Sequence, residues 1–237
     1  MNTAFSKPGL ISILSIGLLL AGCATTAPLI STDTRSKHTA PTRVSVALDI
    51  RHHSEWTSSR REKAQAAARI VETIFNSAAF TNRLAAQHDL QRSEGLSGTD
   101  ILHIIRSGQT LTDLRGSDKA MHKAITLALS ISPDTIEYSR HDGFTDLDTG
   151  IIYARKDWLD DGAICLLAGL LAHEYMHVIG FSHTTFNHPW RRLSVPYAVG
   201  DLVTELAAAS LGKQCATPST KKIPRTQASN SGSGRSY

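Results

Sequence analysis

Apolar residues recur at helical spacing over residues 58–75, where the pattern predicts an amphipathic helix with one buried face. The positions on that face are Ala64, Ala67, Ala68, Val71, Ile74 and Phe75. Ser58 and Ser59 are candidate N-caps, because a serine hydroxyl accepts a hydrogen bond from a free amide of the first helical turn. After a break at residues 76–77, residues 78–87 predict a second, shorter helix.

Four shorter segments are rich in β-branched or alternating apolar residues and predict strands. They are residues 43–48, 101–105, 135–140 and 151–155. Further helices are predicted at residues 118–130, ended by Ser132 and Pro133, at residues 160–177, opened by Asp160 and Asp161, and at residues 200–211. The mixed order of helices and strands predicts an α+β domain.

The first 22 residues have the layout of a bacterial export signal, with Lys7 before an apolar run at residues 10–20. That run is too short to span a bilayer comfortably, and it leads to Leu-Ala-Gly before Cys23. This ending resembles the lipobox of bacterial lipoproteins, in which cleavage leaves the cysteine to carry lipid; the alternative is an ordinary secretion signal with an incidental cysteine. We therefore predict a lipoprotein signal peptide at residues 1–22 and a lipid anchor on Cys23. The expected location is the bacterial cell envelope, on the outer membrane facing the periplasm if the cell is Gram-negative.

Composition divides the remainder of the chain into three parts. Residues 23–42 are rich in Thr, Ser, Pro and Ala and predict a flexible tether, residues 43–212 predict the folded domain, and residues 213–237 predict a disordered basic tail. The tail contains five basic residues and no acidic one, so it accounts for the net charge of +4 and leaves the domain nearly neutral. Composition therefore predicts no nucleic-acid partner.

The three cysteines divide into one lipid site and one candidate pair. Cys23 is assigned to lipid, which leaves Cys165 and Cys215 as a candidate disulfide in an oxidising compartment. The alternative is two buried free thiols.

One stretch of the chain reads His-Glu-Tyr-Met-His-Val-Ile-Gly-Phe-Ser-His and contains the groups of a zinc site. His173 and His177 are four residues apart, so they lie on one face of a helix and can bind one ion. Gly180 can adopt the left-handed conformation that ends a helix, which lets His183 approach as a third ligand. Glu174 is placed to take a proton from metal-bound water without being a ligand itself. The stretch predicts one catalytic Zn²⁺ held by three histidines.

This pattern, HExxHxxGxxH, resembles that of the metzincin clan of zinc metalloproteases. The resemblance implies a zincin-like fold, with a twisted mixed sheet, an active-site helix that carries the first two ligands, and a C-terminal helix. It also implies a substrate cleft along an edge strand, and by that analogy residues 151–155 lie beside the active-site helix and pair with an extended peptide. The implied reaction is hydrolysis of peptide bonds by zinc-bound water, assisted by Glu174.

The chain departs from the metzincin pattern at the turn beneath the zinc. Metzincins have a methionine in that turn, whereas all three methionines of this chain precede His183. Residues 194–197 are predicted to form a turn in the corresponding place. Within them, Tyr197 is a candidate to hydrogen-bond the oxyanion or to act as a fifth ligand, as a tyrosine does in some metzincins; the alternative is an interior tyrosine that closes the turn.

Two other residues compete with His183 for the third ligand position. In the gluzincin arrangement a glutamate on a later helix completes the site, and Glu205 lies in the helix predicted at residues 200–211. His188 is a further candidate. The spacing of His177 and Gly180 favours His183, so we interpret Glu205 as an acceptor behind a ligand or a surface charge, and His188 as a loop histidine.

Two classes of function follow from these residues. The first is a zinc metallopeptidase that acts in the envelope on a protein or peptide substrate, including peptidoglycan peptides. The second is a non-catalytic zinc-binding lipoprotein that binds a partner or a cell-wall component. Glu174 favours the enzyme, because a closed structural zinc site needs no base beside an open coordination position.

Overall fold

A computed structural model describes residues 43–116, 124–133, 142–183 and 189–215 of the chain. Several sequence-based predictions lie outside these residues. They are the signal peptide, the lipidated Cys23, the tether, the strand at residues 135–140, His188 and the tail beyond residue 215.

Four strands form one mixed sheet within the described part of the chain. They are β1 (Ser45–Ile50), β2 (Ala124–Ile131), β3 (Gly143–Asp146) and β4 (Ile151–Ala154). Their order is β1-β2-β4-β3; β2 is parallel to both β1 and β4, and β3 is antiparallel to β4. In β2, Ile125, Leu127 and Leu129 are buried, whereas Ala124 and Thr126 are exposed. Because alternate side chains of a strand face opposite sides, this pattern shows that one face of the sheet carries the core.

Helices cover that face. The described residues form α1 (Ser58–Phe75), α2 (Ala78–Ala85), α3 (Gly98–Ser107), α4 (Leu111–Gly116), α5 (Lys156–Asp160), α6 (Ile164–Val178) and α7 (Val195–Leu211). α1 packs against β1 and α6, while α6 also packs against β3, β4 and α7. α6 is therefore the central helix, with the sheet on one side and α7 on another. None of the helices that the structure describes is long and apolar enough to cross a membrane.

The amphipathic pattern of α1 is confirmed, because all six of its predicted apolar positions are buried. Its N-cap is Thr57 rather than Ser58 or Ser59, since Thr57 Oγ1 accepts a hydrogen bond of 3.3 Å from the Arg60 amide. α2 begins after Ser77, as the sequence predicts, and the Ser77 hydroxyl accepts a hydrogen bond from the amide of the third helical residue.

The strand predicted at residues 101–105 is wrong, because these residues lie inside α3. A capping box begins the helix: the Ser97 hydroxyl accepts from the Asp100 amide, and the Asp100 carboxylate accepts from the Ser97 amide. The apolar residues at positions 101, 102, 104 and 105 then form a buried helical stripe. Ser97 and Asp100 indicate the start of a helix, which the short apolar run alone does not.

The helix predicted at residues 118–130 is also wrong over the part that the structure describes, where residues 124–131 form β2. Alanine and leucine favour helix in isolation, but β2 hydrogen-bonds to β1 on one side and to β4 on the other, and these ladders override local propensity. Ser132 and Pro133 therefore follow a strand rather than a helix, and the Ser132 amide donates to Ala154 O over 2.8 Å.

The helix predicted at residues 160–177 begins later than expected, because α6 starts at Ile164 and Asp160 ends the separate helix α5. Asp160 instead pairs with Arg60 of α1, whose Nε and Nη2 donate to its two carboxylate oxygens over 2.7 and 2.8 Å. This hydrogen-bonded pairing lowers the pKa of Asp160. The carboxylate that was expected to open α6 therefore joins α5 to α1.

Candidate metal centre

α6 holds the first two histidines of the cluster on one face, with the ring centroids of His173 and His177 5.1 Å apart. The helix is almost wholly apolar elsewhere, and Leu167, Leu171 and Met176 are fully buried against its neighbours. This burial fixes the position of α6, so the backbone that carries both histidines is rigid.

α6 ends in a Schellman motif that reverses the chain. The Phe181 amide donates to Met176 O over 2.9 Å, and the Gly180 amide donates to His177 O over 3.0 Å. Gly180 has a φ of +103°, and a Cβ there would lie 3.3 Å from the Leu111 Cβ. The backbone conformation therefore favours glycine at this position, and Leu111 leaves little room for a side chain.

This reversal brings His183 back to the helix, with ring centroids 5.3 Å from His173 and 4.8 Å from His177. One ligand atom from each histidine lies within 4.8 Å of the others. A tetrahedral zinc with Zn–N bonds of about 2.0–2.1 Å holds its nitrogens roughly 3.4 Å apart, so small rotations of the rings bring all three onto one ion. Three imidazoles suit zinc and other first-row transition metals, whereas Mg²⁺ and Ca²⁺ take oxygen ligands. The cluster is able to hold one metal ion.

Backbone carbonyl groups orient two of these rings. His177 Nδ1 lies 2.8 Å from Phe181 O, so as a donor to that oxygen it leaves Nε2 free to bind a metal. His173 makes a hydrogen bond to the carbonyl of Pro196. Burial, with smaller contributions from neighbouring charges, lowers the pKa of His173 to about 3 and that of His177 to about 4. Both rings are therefore neutral at physiological pH, as metal ligation requires.

Glu174 is a buried carboxylate directly beside His173, with 4% of its surface exposed. The Thr145 hydroxyl lies 2.8 Å from Glu174 Oε2 and 3.1 Å from Glu174 O, which holds α6 against β3. Burial raises the pKa of Glu174 to about 7, and the hydrogen bond from Thr145 opposes that rise. Thr145 lies 29 residues before Glu174, and no local pattern in the sequence indicates this contact.

The strand that borders the site differs from the one expected. β4, predicted to pair with an extended peptide, already pairs with β2 and β3, so that prediction is wrong. Among the described strands, β3 is the outer one on this side and pairs only with β4. Both β3 and β4 contact α6, and β3 contributes Thr145 to the site.

The turn predicted at residues 194–197 is wrong, because these residues begin α7. Ser194 is the N-cap, and Pro196 lies in the first helical turn, where its missing amide costs nothing. Tyr197 follows, with its ring centroid 4.5 Å from that of His173 and 5.0 Å from that of His183. A helix start, rather than a turn, therefore places the tyrosine beside two of the three histidines.

Two glycines allow α7 to approach α6 this closely. A Cβ on Gly200 would lie 2.9 Å from His173 Cβ and 2.9 Å from Gly169 O. A Cβ on Gly169 would lie 1.8 Å from Thr204 Oγ1, which is closer than any real contact. The close crossing of these helices brings the first turn of α7, and Tyr197 with it, against the histidine cluster.

Glu205 is a surface charge rather than a member of the histidine cluster. Its carboxylate pairs with Arg83 Nη2 at 2.7 Å, and 63% of its side chain is exposed. The hydrogen bond from Arg83 lowers the pKa of Glu205. Among the described residues, the group able to hold a metal consists of His173, His177 and His183.

The helices of the site are joined at their other ends by a disulfide between Cys165 and Cys215, whose Cα atoms are 5.3 Å apart. Cys165 lies in the first turn of α6, and Cys215 lies in the 3₁₀ turn after α7. The bond therefore constrains the same helix pair that forms the cluster.

The arrangement as a whole is a histidine cluster with a buried carboxylate, a tyrosine and a strand beside it, all within an α+β fold. Comparison of the chain with known protein families, with curated proteins and with solved structures finds no match. Chemically, the arrangement combines three imidazoles that could bind a metal with one carboxylate able to accept a proton and one hydroxyl able to donate one.

Proposed function

We propose that the chain is a zinc-dependent metallopeptidase of metzincin-like type, in which the start of a helix replaces the methionine turn. The observation that carries the proposal is the buried carboxylate of Glu174 beside a cluster of three imidazoles that could hold a metal ion. A zinc ion in such a site would supply a Lewis acid, which would polarise a carbonyl group and lower the pKa of a coordinated water.

Each side chain then has a defined part in peptide hydrolysis. His173, His177 and His183 would hold the ion. Glu174 Oε2 accepts a hydrogen bond from the Thr145 hydroxyl, so Oε1 is the atom that would accept a proton from the water that attacks the carbonyl and return it to the leaving amine.

Tyr197 stabilises the negative charge that develops on the carbonyl oxygen. Burial raises the pKa of Tyr197, so its hydroxyl keeps its proton at neutral pH and acts as a hydrogen-bond donor. Its ring lies beside those of His173 and His183, which places Tyr197 next to the histidine cluster.

The outer edge of β3 provides a place for the substrate main chain. Within the described sheet β3 pairs on one side only, and an extended peptide added to it would lie next to the strand that carries Thr145. The substrate we propose is a protein or peptide in extended conformation, including the peptides of peptidoglycan.

The proposed location is the bacterial cell envelope, with a lipid anchor on Cys23. Support comes from the export signal and the Leu-Ala-Gly-Cys sequence at residues 20–23. Metabolic labelling with a palmitate analogue tests this: the wild type incorporates label, and Cys23→Ser does not. Equal labelling of both proteins would contradict the anchor.

Cleavage of a defined peptide mixture, read by mass spectrometry with added zinc or with chelator, tests the activity. We expect zinc-dependent cleavage by the wild type, a loss of about a hundredfold or more in Glu174→Gln, and no loss in Glu205→Gln. Glu205→Gln is the matched control, because it makes the same change at an exposed carboxylate paired with Arg83. Undiminished cleavage by Glu174→Gln would refute the mechanism, and a zinc-loaded wild type that cleaves nothing would favour the non-catalytic alternative.

A further inference from the structure

Arg191 places a guanidinium group beside the histidine cluster. Its Cζ lies 4.8 Å from the centroid of the Tyr197 ring. That ring is itself 4.5 Å from the ring of His173 and 5.0 Å from the ring of His183. The positive charge of Arg191 therefore lies one aromatic ring away from the metal-binding groups.

Hydrogen bonds hold the backbone of Arg191 in the 3₁₀ turn that precedes α7. Its carbonyl oxygen accepts two hydrogen bonds from Ser194, one of 3.1 Å from the amide and one of 2.7 Å from the hydroxyl. Ser194 is buried, and Leu193 O accepts a further hydrogen bond of 2.8 Å from the Gln91 amide. These contacts fix the segment that carries Arg191 to the rest of the fold.

The guanidinium of Arg191 has no anionic partner in the described part of the chain. Arg60, Arg83 and Arg155 each pair with a carboxylate, whereas none of the described carboxylates forms an ion pair with Arg191. Its Nε atom is buried and lacks a hydrogen-bond acceptor. The Nε atom of Arg106 is likewise unpaired, but Arg106 Nη2 donates to Thr81 and to a backbone carbonyl. Arg191 is thus a half-buried cation that no described carboxylate neutralises.

A cation in this position favours an anionic ligand. Guanidinium groups bind carboxylates through two parallel hydrogen bonds, and such charge-assisted bonds strengthen as water is excluded. We infer that Arg191 binds a carboxylate of the peptide substrate, so that the site selects peptides with a carboxylate close to the scissile bond. The inference rests on the proposed peptidase function. The C-terminal carboxylate and an acidic side chain offer the same chemistry, and the experiment below distinguishes them.

Equilibrium binding to the zinc-loaded Glu174→Gln protein tests the inference without requiring turnover. Three probes are titrated by calorimetry: acetyl-trialanine with a free C-terminus, the same peptide as its C-terminal amide, and acetyl-Ala-Glu-Ala-amide. Each is measured in the Glu174→Gln protein and in versions that also carry Arg191→Gln, Arg191→Lys or Arg192→Gln. Arg192→Gln is the matched control, because Arg192 is adjacent and exposed, and its substitution makes the same change in net charge.

We expect at least one of the two peptides with a carboxylate to bind about tenfold to a hundredfold more tightly than acetyl-trialanine amide, which has none. That preference should disappear in Arg191→Gln, be reduced in Arg191→Lys, which keeps the charge but not the planar fork, and persist in Arg192→Gln. The peptide that shows the preference identifies the source of the carboxylate. Thermal unfolding of each variant confirms that the protein is folded.

The inference is overturned if no protein prefers a peptide with a carboxylate, or if no binding is measurable. It is also overturned if the preference survives in folded Arg191→Gln, or if Arg192→Gln loses the preference as fully as Arg191→Gln does. Failure of the peptidase proposal gives a different result. In that case the carboxylate preference depends on Arg191, but the wild type cleaves none of the peptides.

Discussion

The two sides of the histidine cluster are stabilised by different kinds of contact. On one side, residues 173–183 are organised by hydrogen bonds between near neighbours, such as the bonds from Gly180 and Phe181 back to the last turn of α6. On the other side, residues 194–200 reach the cluster through the crossing of α6 and α7, where Gly200 lies against His173. The three histidines are therefore brought together by contacts between near neighbours in sequence, whereas residues 194–200 reach them through tertiary packing.

The two sides should therefore respond differently to substitution. A change on the local side should remove a ligand and leave the fold intact, because the buried apolar residues of α6 hold the helix in place. A change on the packed side should alter the stability of the domain and the metal affinity together, since the same contact between helices supports both.

The largest effect is expected from removal of a ligand on the local side. His183→Ala should weaken zinc binding by more than about a hundredfold, because a site of three protein ligands is reduced to two. Glu205→Ala, at the exposed carboxylate paired with Arg83, should leave zinc affinity unchanged. Competition with a chelating dye measures both affinities, and the opposite ranking of the two variants would assign the third ligand to Glu205.

The next largest effect is expected where the two helices are joined covalently. Replacement of both Cys165 and Cys215 by alanine should lower the free energy of unfolding by about 2–4 kcal/mol, because the disulfide closes a loop of 50 residues and restricts the unfolded chain. Denaturant unfolding measures the difference, with reduced wild-type protein as the control. Identical stability of the oxidised wild type and the double variant would show that the bond does not support the helix pair.

A smaller effect should come from the helix crossing itself. Gly200→Ala should destabilise the domain by about 1–3 kcal/mol and weaken zinc binding as well, because the new Cβ would lie 2.9 Å from His173 Cβ and force α7 away from α6. Ala209→Ser, which adds one atom on an exposed position of the same helix, is the control. Loss of stability with full zinc affinity would mean that the two properties are independent on the packed side.

The smallest effect should follow from removal of the Thr145 hydroxyl. Thr145→Val keeps the shape of the side chain but leaves Glu174 Oε2 without its donor, so stability should fall by about 1–2 kcal/mol and peptide cleavage should fall while zinc affinity stays the same. The control is Thr126→Val at an exposed position of β2. Loss of zinc from Thr145→Val would show that this contact positions the ligands rather than the base.

The parts of the molecule that could be predicted from the sequence are those in which local spacing determines structure. The six buried positions of α1, the pairing of Ser77 with α2, and the approach of His183 after Gly180 depend on helix periodicity or on the hydrogen bonds of one turn. The α+β class follows from the same periodicities, and the four-stranded mixed sheet with helices on it agrees with that class.

Features that depend on contacts distant in sequence could not be predicted in this way. The residues of β2 favour a helix until two neighbouring strands pair with them. Residues 194–197 contain a proline and predict a turn, whereas in the structure they begin α7, which packs closely on α6 at Gly169 and Gly200. Thr145 and Arg191 join the site through packing alone, and the chain near them contains no pattern that indicates it. The capping box of α3 is different, since its signal was present in residues 97–100 and was missed.

X-ray absorption at the zinc edge of the zinc-loaded protein tests whether the three histidines bind the metal. We expect one zinc per chain with three imidazole nitrogens and one oxygen ligand, at about 2.0–2.1 Å, and a loss of one imidazole in His183→Ala. A sulfur ligand, four protein ligands with no open position, or an unchanged spectrum in His183→Ala would contradict this expectation.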